Sequence, residues 1–145
     1  MKKIIAHAHC DGPCGIYDPA SARIAAEAVV SMTKKMLELK CPDISDTQLM
    51  ANYLNTMSRY AFIKEEQAKL CKEELLILWT DYFKPMHLEQ EPNLHEIFWT
   101  AAKLCSSCKV EVSAEHCDEL MDKIEEIHNL FWKTKNRDVS WYTAG

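Results

Sequence analysis

The feature that most constrains the fold is a helical spacing of apolar residues, which recurs in four separate segments of the chain. In the last segment the apolar side chains are alternately three and four residues apart: Cys117, Leu120, Ile124, Ile127 and Phe131. This spacing places them on one face of an α-helix. Four such segments joined by short connections predict an all-α fold, an antiparallel up-down four-helix bundle.

The other three segments carry stripes of the same kind. The first predicted helix covers residues 19–40, with its stripe at Ile24, Ala28, Met32, Met36 and Leu39. The second covers residues 46–83, with apolar positions that include Leu49, Tyr53, Tyr60, Ile63, Leu70, Leu78 and Trp79. The third is opened by Pro92, with its stripe at Leu94, Ile97, Ala101, Leu104 and Cys108.

Local signals mark the ends of the first and fourth helices. Asp18 is a favourable N-cap residue, and Pro19 fits the first helical position that follows it. Ser113 is the predicted cap of the fourth helix.

The second helix has its own boundary signals. Ser45, followed three residues later by Gln48, is a capping-box pattern. Pro85 ends the helix, because the residue before a proline is disfavoured in helical conformation. The pattern is longer than most globular helices, long enough to bend or break near Asn52–Ser58.

Length and charge exclude several classes of protein. A chain of 145 residues is long enough for one domain with a hydrophobic core. A net charge of -5 and a pI of about 5.7 argue against nucleic-acid binding through phosphate neutralisation. The sequence lacks the apolar run of a secretory signal or of a membrane span. We therefore expect a cytoplasmic protein with no nucleic-acid or membrane partner.

A compact group of metal-capable residues precedes the first helix. Cys10 and Cys14 lie four positions apart beside His9, on a loop where Gly12 and Gly15 permit unusual turn geometry. Thiolate ligands favour soft or borderline metals, and sulfur combined with planar nitrogen donors suits Ni(II) or Cu(II). Zinc normally takes four protein ligands, and this loop supplies three such residues. The loop therefore predicts a nickel or copper site.

Residues 9–17, HCDGPCGIY, resemble the N-terminal nickel hook of the nickel superoxide dismutases. The likeness extends to Leu78–Pro85, Pro92–His95 and Ile127–Lys135, which are similar to that family's long central helix and its last two helices. It covers most of residues 9–135. The resemblance implies a four-helix bundle, a nickel ion as cofactor, superoxide as substrate and assembly as a homohexamer.

The resemblance also implies how the metal would be held. Once a maturation peptidase has removed residues 1–8, the free amine of His9, the amide nitrogen of Cys10 and the thiolates of Cys10 and Cys14 would bind nickel in a plane. The His9 imidazole would be an axial ligand of the oxidised metal. Superoxide would yield oxygen in one half-reaction and hydrogen peroxide in the other.

Four further residues match supporting positions of the family. Asp11 and Pro13 match residues that fix the shape of the hook. Tyr17 and Tyr82 match tyrosines that order water near the vacant side of the metal and limit access to small anions. We therefore count both tyrosines with His9 and the cysteines as predicted catalytic residues.

Gly12 stands where the family hook usually has an aliphatic residue, and two positions farther along the chain also depart from the family pattern. Ala25 and Gln67 stand where the family has a glutamate and an arginine that orient the axial imidazole. Such partners fix the tautomer and the orientation of a ligating histidine. Glu27 or Glu66 could take their place after a small rotation.

Two other functions stay open on the sequence alone. If residues 1–8 remain attached, His7 and His9 are neighbouring imidazoles beside Cys10, a set that suits copper as well as nickel. The alternative cofactor is then a copper ion in a copper-dependent superoxide dismutase. The second alternative is a non-catalytic metal-binding or thiol-sensing bundle.

The other cysteines and histidines give weaker signals. Cys105 and Cys108 form a CxxC pair that, together with Cys117, could hold a second metal or a disulfide, although packing or redox-sensitive thiols are favoured. Cys41 and Cys71 are expected to be buried or incidental. The remaining histidines share no helical face and are expected to be structural: His87, His95, His116 and His128.

The sequence thus divides into three parts. Residues 1–8 are a leader to be removed, residues 9–135 contain the hook and the bundle, and residues 136–145 are a loosely ordered tail.

Overall fold

The computed structural model describes residues 14–145, and the regular structure within this range is helical. The α-helices in chain order are α1 (Ala20–Glu38), α2 (Thr47–Ile77), α3 (Pro85–Gln90), α4 (Leu94–Val110) and α5 (Ala114–Thr134). The four long helices close a ring, because α1 and α4 each pack against both α2 and α5. The predicted all-α fold and four-helix bundle are confirmed.

The stripe predicted for α5 is buried in full. Each of its side chains is at most 2 % exposed: Cys117, Leu120, Ile124, Ile127 and Phe131. The Ser113 hydroxyl accepts a hydrogen bond from the N–H of His116 at 3.2 Å, so the predicted cap is also confirmed. α4 begins at Leu94, two residues after Pro92, and adds Phe98 and Cys105 to its predicted stripe.

The stripe predicted for α1 is wrong. Ile24 is 60 % exposed, whereas the helix buries a face made mostly of small residues: Ala22, Arg23, Ala25, Ala26, Val29 and Thr33. Small side chains allow α2 and α5 to approach the α1 backbone closely, so this face packs inward. The helix begins at Ala20 with Pro19 at the N-cap position, so the predicted N-cap at Asp18 is wrong by one residue. The Asp18 carboxylate nevertheless accepts the N–H of Ala20 at 2.9 Å.

α2 differs from its prediction at its start. The Asp46 carboxylate accepts the N–H of Leu49 at 2.9 Å, so Asp46 is the cap. The capping box predicted for Ser45 is wrong, because the Ser45 hydroxyl donates instead to the carboxylate of Asp43 at 2.7 Å. The helix is not broken at Asn52–Ser58.

The first half of α2 extends beyond the end of α4. None of residues 47–63 is buried, and Leu49, Leu54 and Phe62 are each more than half exposed. The stretch Thr47–Ser58 contains no charged residue. Although α2 is the longest helix, no helix in the described range combines the length and the apolar character needed to cross a membrane.

Lys64 joins α2 to the C-terminal end of α4. Its side chain is 3 % exposed, and its ammonium donates to the backbone carbonyls of Cys108, Lys109 and Glu111, the last two at 3.1 and 2.9 Å. The last carbonyls of a helix have no partner within the helix and carry partial negative charge. The buried ammonium of Lys64 therefore satisfies the free carbonyls at the end of α4. The buried core of the bundle ends at this position of α2.

The C-terminal end of α2 widens into a π-helical turn, Leu78–Tyr82. The N–H of Phe83 donates to the carbonyl of Leu78, five residues earlier, at 3.1 Å. Lys84 is extended before Pro85, so the predicted end of the long helix is confirmed. The short helix α3 that Pro85 begins was not predicted.

The tail, residues 136–145, forms no helix but contacts the bundle. The His128 ring is hydrogen-bonded through Nε2 to the carbonyl of Val139 at 2.7 Å. The Glu27 carboxylate accepts the N–H of Ala144 at 2.7 Å. The tail is thus held at two separate points, one on α5 and one on α1.

We predict that Ile124→Ala lowers the free energy of unfolding by about 2–5 kcal/mol, because its side chain is fully buried and the cavity left behind cannot collapse completely. Ile24→Ala is the matched control and should change the free energy by no more than about 0.5 kcal/mol. Urea denaturation at a single protein concentration measures both values. Equal destabilisation by the two substitutions would contradict the assigned faces.

Candidate metal centre and the adjacent tyrosine pair

The described part of the hook begins at Cys14. The other predicted hook residues lie outside the described residues: His9, Cys10, Asp11 and Pro13. Cys14 is exposed. Gly15 has φ +67°, a left-handed conformation in which a side chain would be strained. The turn geometry expected at Gly15 is therefore confirmed.

Tyr17 joins the hook to the bundle. Its ring lies 5.6 Å from that of Tyr82, centroid to centroid, with the two planes tilted by 53°. Tyr82 lies at the end of the π-helical turn, far from the hook in sequence. The structure thus brings together two of the predicted site residues, and one of them, Tyr17, lies three positions after Cys14.

The hydroxyl of Tyr82 is the start of a short hydrogen-bonded chain. Tyr82 Oη and Thr134 Oγ1 are hydrogen-bonded, and the Thr134 hydroxyl donates to the carbonyl of Phe131 at 2.7 Å. Since Thr134 has one hydroxyl proton and gives it to Phe131, Tyr82 must be the donor to Thr134. The proton of Tyr82 is therefore directed to Thr134, and the phenolic oxygen of Tyr82 can accept a hydrogen bond from a donor such as water.

Aromatic and cationic groups hold the Tyr82 ring in place. The ring centroid lies 4.5 Å from that of Phe131 and 5.8 Å from that of His87, which is stacked at 13°. The ammonium of Lys135 lies 4.9 Å from the Tyr82 centroid, a cation–π contact. Thr134 and Lys135 were not predicted as site residues.

Glu27 and Glu66, the suggested replacements for the family's orienting pair, differ in their surroundings. Ala25 is 1 % exposed in the core and carries no polar group. One oxygen of Glu27 pairs with the guanidinium of Arg23, and the other accepts the N–H of Ala144. The Glu66 side chain is exposed. Glu27 is thus already engaged in holding α1 to the tail.

Metal-capable residues elsewhere in residues 14–145 form no alternative centre. No group of three or more His, Cys, Asp or Glu side chains there is arranged to hold a metal ion. Individual histidines have structural contacts, as expected; His95 Nδ1, for example, accepts the indole N–H of Trp79 at 2.8 Å. Cys14, an exposed thiol at the end of the Cys10–Cys14 loop, has the donor chemistry and the exposure that a nickel hook requires.

A four-helix bundle with an exposed Cys14, three residues before one member of a tyrosine pair, has the arrangement expected of a helical metalloprotein of the hook type. The chain matches the family described as nickel-containing superoxide dismutase over residues 4–135. It is 39 % identical over 133 residues to the nickel superoxide dismutase of Streptomyces seoulensis and 38 % identical to that of Streptomyces coelicolor, with 92 % of each chain covered. The chain belongs to the nickel-containing superoxide dismutase family.

Solved structures of the family show the same fold. The native nickel superoxide dismutase structure at 1.30 Å superposes with a TM-score of 0.77 and 37 % identity, covering 89 % of this chain and 100 % of that one. A structure described as having nickel ligation of the oxidised state gives a TM-score of 0.75 and 40 % identity with the same coverage. The bundle is therefore similar in both sequence and backbone to these proteins.

We predict that Tyr82→Phe and Thr134→Val each lower the free energy of unfolding by about 0.5–1.5 kcal/mol, because each removes one side of the same hydrogen bond. The double variant should be only about as unstable as the worse single variant, since the contact can be lost only once. Urea denaturation of all four proteins measures this coupling. Fully additive losses would show that the hydroxyls do not interact.

Proposed function

We propose that this chain is a superoxide dismutase whose nickel is held by His9, Cys10 and Cys14. The observation that carries the proposal is a complete hook sequence placed before a bundle that matches the family over residues 4–135. Family membership favours nickel over copper, and a dismutase over a non-catalytic bundle.

The reaction converts two superoxide anions and two protons into oxygen and hydrogen peroxide. One superoxide loses an electron and leaves as oxygen, and the other gains that electron and two protons. When bound, nickel supplies the one-electron redox couple that links these halves. Of its proposed ligands, Cys10 and Cys14 supply anionic sulfur, and His9 supplies nitrogen.

The phenolic hydroxyls of Tyr17 and Tyr82 supply polar groups on one side of the proposed site. Because the Tyr82 proton is directed to Thr134, the phenolic oxygen of Tyr82 acts as an acceptor on its free side. A water held there would donate one of its protons to this oxygen. We propose that Tyr17 and Tyr82 together order water near the metal and restrict entry to small molecules.

Positive charge beside the tyrosines favours an anionic substrate. The ammonium of Lys135 stands over the Tyr82 ring although the whole chain carries a net charge of -5. Local cationic groups raise the encounter rate of small anions, and salt weakens this effect. We propose that Lys135 draws superoxide towards the tyrosine pair.

Maturation and assembly follow from the same proposal. A free amine at His9 requires that a peptidase remove residues 1–8, so we propose that the mature enzyme begins at His9. We also propose a homohexamer, which is consistent with the exposed apolar side chains of Leu49, Leu54 and Phe62. The cytoplasmic location stays a prediction.

We predict that Cys14→Ser abolishes nickel binding and lowers dismutase activity at least about 100-fold, because one of the two thiolate ligands is lost. Cys41→Ser is the matched control, since Cys41 is also exposed but lies at the opposite end of α1. Elemental analysis and an activity assay on the processed proteins measure both effects. Full nickel content in Cys14→Ser would overturn the proposed ligand set.

We predict that the active protein lacks residues 1–8 and assembles as six chains. Native mass spectrometry measures both properties on one sample, because it reports the mass of the assembly and of the released chain. A fully active, nickel-loaded protein that retains residues 1–8 would contradict the proposed role of the His9 amine.

A further inference from the structure

The end of α5 leaves one backbone carbonyl without its helical partner. If the α-helix continued, the N–H of Lys135 would donate to the carbonyl of Phe131, but it donates to that of Trp132 at 3.1 Å. The N–H of Arg137 also donates to the Trp132 carbonyl, at 3.0 Å, and Asn136 is left-handed with φ 52°. These are features of a Schellman helix end. The Phe131 carbonyl is therefore open to a donor from a side chain.

Thr134 supplies that donor. Its hydroxyl donates to the Phe131 carbonyl at 2.7 Å and is also hydrogen-bonded to the hydroxyl of Tyr82. A threonine hydroxyl has a single proton, so once that proton is given to a carbonyl the oxygen can only accept from its other neighbours. The way in which α5 ends thus determines where the Tyr82 proton is directed.

The Tyr82 ring itself has little freedom to turn. It packs against Phe131, with the centroids 4.5 Å apart, and is stacked on His87 at an angle of 13°. The ammonium of Lys135 lies 4.9 Å from its centroid. Because these contacts hold the ring, the phenolic oxygen is fixed in position, and Thr134 fixes the direction of the hydroxyl proton.

We propose that Thr134 is a positioning residue that makes Tyr82 a hydrogen-bond acceptor towards the metal site, so that superoxide meets Tyr82 only through a bridging water. Superoxide carries negative charge and has no proton to donate, so its direct approach to an acceptor oxygen is unfavourable. A water can donate one proton to Tyr82 and the other to the anion. This inference rests on the proposed function, because it requires a metal site beside Tyr17 and Tyr82.

An acceptor at this position suits rapid turnover. Lys135 favours the arrival of anions beside Tyr82, whereas a hydrogen bond donated directly by Tyr82 would also hold the anion after arrival. Binding that stabilises the substrate and the transition state equally lowers KM without raising kcat. By taking the Tyr82 proton, Thr134 removes such binding and leaves the attraction of Lys135 in place.

The first test measures the direction of the Tyr82 proton by NMR on the full chain without nickel. We expect a Tyr82 hydroxyl resonance, identified by its loss in Tyr82→Phe, that shows a nuclear Overhauser effect to the Thr134 methyl group. In Thr134→Val its exchange with water should become at least about threefold faster, because its acceptor is gone. An Overhauser effect from this proton to the Tyr17 ring instead of Thr134, or unchanged exchange in Thr134→Val, would overturn the proposal.

The second test measures the affinity of a small anion, azide, for the processed, nickel-loaded protein by spectroscopic titration. Thr134→Val frees the Tyr82 proton for donation to an anion, so azide should bind at least about threefold more tightly. Thr134→Ser keeps the hydroxyl and should retain the wild-type affinity. Unchanged or weaker azide binding in Thr134→Val would contradict the proposed role.

Thr80→Val is the matched control. The Thr80 hydroxyl also donates to a carbonyl one turn earlier, that of Leu76 at 2.8 Å, and its other hydrogen bond is to the carboxylate of Asp81. Its removal should leave both the exchange of the Tyr82 proton and the affinity for azide unchanged.

A background without the Tyr82 hydroxyl separates positioning from a general effect on structure. In Tyr82→Phe there is no proton to redirect, so adding Thr134→Val should cause no further change in azide affinity. If Thr134→Val acted only by loosening the end of α5, it would change azide affinity in both backgrounds. An equal change in the two backgrounds would therefore overturn the proposal.

These measurements can be distinguished from a test of the proposed function. The NMR experiment needs no metal, and the azide titration measures binding and not turnover. A wild-type protein that holds nickel but does not dismutate superoxide would contradict the proposed function, and both measurements would still decide the role of Thr134. If the chain did not bind nickel, the proposed function would be refuted, and the direction of the Tyr82 proton would still be measured.

Discussion

The buried ammonium of Lys64 is the interaction on which the length of the bundle depends. It neutralises the partial negative charge at the end of α4, and this defines the level at which four packed helices give way to the exposed half of α2. A buried charge without partners would be strongly unfavourable, so the three carbonyl contacts are also the condition for burying it.

The helices differ in how far sequence alone predicts them. In α5 large apolar residues alternate with charged ones, so the stripe that ends at Phe131 was predicted correctly. In α1 the spacing of large apolar residues predicted that Ile24 is buried. The structure instead buries the face that contains Ala25 and Ala26. Close packing favours small side chains there, and apolar spacing carries no information about how near a neighbouring helix comes.

In the candidate site, too, the residues that are contiguous in sequence could be predicted, whereas contacts between distant parts of the chain could not. The hook could be recognised because its residues are contiguous, and Tyr17 could be placed with them. Thr134, the hydrogen-bond partner of Tyr82, could not be predicted from the sequence. Its contact with Tyr82 depends on how the end of α2 packs against the end of α5. The residues missed are therefore those whose role arises from tertiary contact rather than from a motif.

The π-helical turn Leu78–Tyr82 makes the number of residues in this segment as important as their identity. The hydrogen bond from the N–H of Phe83 to the carbonyl of Leu78 spans five residues, whereas the corresponding bond of an α-helix spans four. Removing one residue from the turn would let a regular α-helical turn connect the same two backbone groups, so Phe83 and the residues after it would keep their places. Tyr82 lies inside the widened turn, and the direction of its side chain therefore depends on the extra residue that the turn accommodates.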